Sequence, residues 1–169
     1  MTYSRCKLKA LHISGHGYTL MELMAVLAVI FILLLMATPS YLGRHIQYQI
    51  SEALQLAEIA KRPIAAIWAT HQSLPLDNAG AGLPDPGKIV SNVVKSISVE
   101  EGAIQITFGN HAYQLLQDKM LTLRPAVVED APVVPVVWVC GLSSAPGSMS
   151  VKGANKTSIP AKYLPPGCH

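Results

Sequence analysis

The chain has 169 residues, enough for one modest domain with an appendage. Half of them are apolar and only 14% are charged, an apolar excess for a soluble domain that is concentrated in one place. The formal charge of +3 resides wholly in Arg5, Lys7 and Lys9, because the ten bases that follow match the ten acids, so the basic balance is no argument for a nucleic-acid partner.

Residues 1–17 carry those three bases and no acid, and from Leu23 through Gly43 there is no charged residue. A bilayer core takes about 20 apolar residues to span, so this run suffices. Positive charge ahead of such a run keeps that end cytoplasmic and sends the remainder outward. Cys6 then lies on the reducing side, while Cys140 and Cys168 lie where disulfides form and persist. Two cysteines on that side allow one pairing. It closes a loop of 27 intervening residues, which the chain-entropy treatment values at about 3.5 kcal/mol.

After Gly43 the pattern turns amphipathic. Ile46, Ile50, Ala53, Leu54, Ala57, Ala60, Ile64, Ile67 and Trp68 recur at helical spacing and form one apolar stripe. One helix over 18–70 is expected, about 80 Å long at 1.5 Å per residue. Pro39 and Pro63 inside it should kink or locally open it. Glu58 and Arg62 stand i,i+4 with the acid first, the favourable order. Residues 71–87 are rich in proline and glycine and read as a loop. Alternating β-branched stretches follow at 88–100 and 103–109, around a Glu101-Gly102 turn, and at 120–128 and 133–141, around Glu129-Asp130-Ala131-Pro132. The segment 111–119 is ambiguous between strand and turn. From Leu142 to His169 the chain reads as loop. The fold expected is α+β: a long N-terminal helix packed on a four-stranded antiparallel sheet, with a disulfide-closed C-terminal loop. Its divisions are 1–17, 18–43, 44–70, 71–87, 88–141 and 142–169.

Catalytic and metal signatures are weak. The six histidines show no metal-ligand spacing, no nucleophile elbow surrounds any serine, and no phosphate-binding loop is present. The reading is therefore of a protein that is not an enzyme and takes no cofactor or metal. Lys152, Lys156 and Lys162 read as solvated loop charge, with contact to a surface, DNA or sugar as the sharper alternative.

The residues around Gly17 decide more. A basic leader is followed by Gly17, Tyr18, Thr19, Leu20, Met21 and Glu22, which open the apolar helix. This resembles the class III leader of type IV prepilins: glycine, an aromatic residue, Thr-Leu-x-Glu, then a long apolar helix. "LTLRP" followed by "WVC", and "YLPPGC" at the end, resemble the major-pilin group, so the likeness covers the whole chain. It implies that a prepilin peptidase in the membrane cuts after Gly17 and N-methylates Tyr18. Glu22 is then the fifth residue of the mature chain, and Pro39 falls where the family commonly has a proline. It also implies a structural subunit that polymerises into type IV pilus filaments for adhesion, motility or DNA uptake. The implied partners are copies of itself, the peptidase, the pilus assembly machinery and the inner membrane, with a host surface or DNA beyond.

Glu22 has two readings. Thr19-x-x-Glu22 is a capping box, and an acid suits a first helical turn. That supplies at most about 1 kcal/mol, whereas a charge within lipid costs about 2.5–3.5 kcal/mol even on insertion scales. The sharper expectation is that Glu22 pairs with the amine freed at Tyr18 of an adjacent subunit and sets the register between helices; pairing with the amine of its own chain is the less demanding alternative. Pro39 marks either the place where the helix opens during assembly or a static kink. Two other identities stay open: a minor pilin or type II secretion pseudopilin, and an exported or membrane-anchored binding domain.

Overall fold

The computed structural model describes residues 19–169, apart from the side chains of 37–42. The chain forms two compact units, 1–39 and 40–169. Helix α1 is Leu20–Leu56 and α2 is Glu58–His71, so the helix expected over 18–70 is locally opened between them. They part at Ala57, whose carbonyl accepts from both Ala60 N–H at 3.0 Å and Lys61 N–H at 3.1 Å. Pro63 accounts for the position. It lacks an N–H and its ring crowds the carbonyl of Ile59, so the distortion falls in the turn ahead of it. The Glu58 carboxylate meets Lys61 Nζ at 2.6 Å rather than the expected Arg62.

In the second unit the apolar stripe is the core side of both helices. Ile46, Ile50, Ala53, Ala57, Ala60, Ile64 and Trp68 are all buried, while Leu54 and Ile67 sit at its margin. The stripe packs on Ile97, Ile104, Ile106, Phe108, Leu121 and Leu123 of an antiparallel sheet. Its strands are β1 (Val94–Glu100), β2 (Ala103–Phe108), β3 (Met120–Val127), β4 (Val137–Cys140) and β5 (Ser150–Val151). They run in the order β1-β2-β3-β4, with β5 paired to β3. The sheet thus has five strands rather than four, the fifth drawn from the tail expected to be loop. β1 starts at Val94 and β4 at Val137, later than the patterns at 88 and 133 suggested. The ambiguous 111–119 is a series of turns that buries Ala112 and Leu116. The Glu101-Gly102 turn is as expected: both residues have positive φ, +50° and +80°, matching the twist of a two-residue hairpin.

The loop 71–87 covers the open edge of β1. Gly102 N–H donates to Pro75 O at 2.8 Å and Glu101 N–H to Leu76 O at 3.2 Å. Asn78, 6% exposed, then acts as a surrogate strand. Its Oδ1 accepts Val99 N–H at 2.7 Å and its Nδ2 donates to Ile97 O at 3.1 Å. An uncovered edge pairs with foreign strands; here the side-chain amide occupies it. Asn78→Ala leaves these buried groups unpaired, and a loss of about 2–4 kcal/mol in chemical denaturation is expected. A loss below about 0.5 kcal/mol would show that water replaces the amide at no cost.

Candidate functional site

Two features stand out, one in each unit. In the first, α1 presents Leu20, Met21, Leu23, Met24, Val26, Leu27 and the large apolar residues onward through Met36 to solvent. Within this stretch Glu22 is the sole charge, and it is exposed. Its backbone N–H donates to Thr19 Oγ1 at 3.3 Å, half of a capping box. Among the described residues no base is in ion-pair range of its carboxylate. Gly17 and Tyr18, expected at the cleavage site, lie outside the described residues. The position of Pro39 falls within the range of α1, and its side chain lies outside the described set. Among the described residues no helix is long and apolar enough to cross a membrane.

In the second unit the tail straps the sheet. β4 and β5 both pair with Ala126 and so lie on opposite sides of β3, which puts β5 on the side where β2 has ended. From there the chain crosses the outer face of the sheet. Gly153, at φ +78°, lies so close to Ala103 that a Cβ on it would stand 2.6 Å from that residue's Cβ. Next, Ala154 O accepts Gln105 Nε2 and Lys156 N–H donates to Thr122 Oγ1 at 2.9 Å, while Thr122 Oγ1 donates to Gln105 Oε1 at 2.6 Å. These polar side chains on the outward face are therefore buried and satisfied. The tail then lines the other side of β3, where Met120 N–H donates to Ser158 Oγ and Thr122 N–H to Thr157 Oγ1. Finally it returns to the helix face, where Ile159 and Leu164 join the core and Leu164 O accepts Gln47 Nε2.

The strap is locked at its end. Cys140 and Cys168 are bonded, as the sequence implied, with Cα atoms 4.5 Å apart. Beside them Gly141 has φ +56°, and a Cβ there would stand 2.7 Å from Cys168 O, so the lock requires glycine. The tail lysines are more engaged than loop charge would be. Lys152 pairs with Glu129, Lys156 with Glu100, and Lys162 Nζ sits 4.7 Å from the centre of the Tyr163 ring. The Lys152 ammonium, by hydrogen bond and charge, holds the Glu129 carboxyl below its usual range. The stabilisation is present above the ordinary carboxylate pKa and fades as pH falls through the lowered one. Among the described residues no group of histidine, cysteine and carboxylate side chains is arranged to hold a metal ion.

The helix, the antiparallel sheet and the strapped tail fit one sequence pattern. Residues 49–169 match the family described as pilin, a bacterial filament protein. The chain belongs to the pilin family. This pilin is 32% identical over 158 residues to the type IV major pilin protein PilE1 of Neisseria gonorrhoeae, covering 90% of this chain and 86% of that one. It is 32% identical to a fimbrial protein of Neisseria meningitidis serogroup A, with 90% and 92% covered. To the fimbrial protein EcpC of Eikenella corrodens it is 31% identical, with 90% and 89% covered. A pilin is a structural subunit of a filament. Sequence reasoning anticipated the disulfide. It missed Asn78, because a polar residue in a Pro/Gly-rich loop reads as solvated, and the buried Gln105–Thr122 pair, because a polar residue in an alternating strand reads as solvent-facing.

Proposed function

We propose that this chain is the structural subunit of a type IV pilus, made as a precursor. The prepilin peptidase cuts it after Gly17 and N-methylates Tyr18. Before assembly the apolar half of α1, with the uncharged run through Gly43, holds it in the inner membrane with the sheet domain outside. The assembly machinery then draws subunits into an extracellular fibre in which the same apolar surfaces pack on copies of themselves. Glu22 meets the Tyr18 amine of a neighbouring copy and sets the register, and Pro39 is the point where the helix opens. The observation that carries this reading is the combination of a pilin sheet domain with a fully exposed apolar helix bearing one carboxylate. Such a surface has no stable place in water, and lipid or other copies are what cover it.

Mass spectrometry of filaments sheared from cells making the chain tests the processing. The mature subunit is expected to begin at methylated Tyr18, with Cys140 and Cys168 bridged. An intact leader, or a terminus near Thr38, would overturn the proposal in favour of an anchored or exported domain.

A further inference from the structure

Two largely apolar features of the sheet domain stand apart on the same molecule. The first is a protruding turn between β3 and β4. Val134 N–H donates to Ala131 O at 3.0 Å, closing a four-residue turn with Pro132 at its second position and Val133 at its third. Proline there fixes the backbone in advance, and Val133 is held out at 90% exposure. From Ala131 through Val151 the chain carries no charged residue. The second feature is a groove of about 380 Å³ between the helices and the tail lock, lined by Leu54, Gln55, Trp138, Pro165 and the bridged cysteines. Glu58 and Lys61 line the same groove and pair with each other at 2.6 Å, which leaves it without net charge.

The groove lies at the Cys140 end of β4, whereas the turn precedes Val137 at the other end. The strand between them is about 10 Å long. A rigid neutral apolar knob and a neutral apolar socket at separate places on one subunit make a heterologous pair. Repeated without closure, such contacts generate an open helical filament. Copies of this chain are the neighbours that a filament subunit has. We propose that the Val133 turn of one copy seats in the Leu54–Trp138–Pro165 groove of the next. The preformed turn loses little conformational freedom on docking, and each copy offers a knob to one neighbour and a socket to the other.

This inference rests on the filament reading, and the test separates the two. Filaments sheared from cells making Val133→Asp are compared with wild type for yield and for dissociation temperature. Melting of the full-length chain in detergent is followed alongside. The expected result is about tenfold less filament, the effect of setting a charge in an apolar socket, with the melting of the subunit unchanged because Val133 touches little of its own domain. Adding Gln55→Lys, on an exposed groove residue, is expected to restore assembly by supplying the opposite charge. Wild-type yield and dissociation in Val133→Asp overturn the docking, as does failure of Gln55→Lys to restore it. A parallel fall in subunit melting likewise overturns it, since the effect would then belong to the fold. Absence of filaments in the wild type overturns the filament reading instead.

Discussion

Glu22→Ala is expected to leave the protein in the membrane fraction at wild-type level and to lower sheared filament by about 100-fold. The estimate follows from the cost of a charge in an apolar medium. In the proposed filament, an unpartnered amine at Tyr18 among apolar helices would cost roughly 2.5–3.5 kcal/mol, close to two decades in an assembly equilibrium. In the proposed membrane-held precursor the acid has no partner to lose, so insertion is expected to be unchanged. Two further variants separate register from capping. Glu22→Gln keeps the shape and removes the charge, so it should fail as Glu22→Ala does. Thr19→Ala removes the oxygen that accepts Glu22 N–H; a cap is worth about 1 kcal/mol, so most filament should survive. Normal fibres from Glu22→Ala would refute pairing with the neighbour's amine. An equal defect in Thr19→Ala would reduce Glu22 to a helix-end device.

The second large effect belongs to the tail. Replacing Cys140 and Cys168 together with serine is expected to destabilise the sheet domain by about 3.5 kcal/mol. At the scale typical of domains this size, that lowers the melting temperature by about 10–15 °C. The chain-entropy argument sets the magnitude, and the strap says where the loss appears. Met120 and Thr122 donate their amides to Ser158 and Thr157, and Gln105 and Thr122 are buried beneath Ala154 and Lys156. Those amides should exchange hydrogen far faster in the double serine variant, while the amides that join β1 to β2 stay protected. A melting temperature unchanged by the substitution would mean that the strap holds without its lock.

The contrast between β1–β2 and β3 shows what was legible in the sequence. The helix stripe from Ile46 to Trp68 could be read because a helix buried on one face repeats its apolar positions every three to four residues. The Glu101-Gly102 hairpin could be read because neighbouring alternating runs joined by two residues leave few other pairings. Both are local, and both appear as expected. The lone carboxylate in the apolar run was likewise visible, because composition alone marks it.

What only the tertiary structure decided is long-range. Residues 142–169 lack periodicity, so nothing local says that they cross the sheet, pair as β5 and bury Gln105 and Thr122. Nor does alternation reveal that Asn78, nineteen positions ahead of Ile97, covers the edge of β1. Side-chain amides and backbone carbonyls find such partners only once the chain has brought distant segments together. Periodicity in a sequence records which face of an element is apolar. It carries no record of which polar groups a remote segment will come to cover, because a buried amide satisfied by a strap and an exposed amide satisfied by water are the same residue.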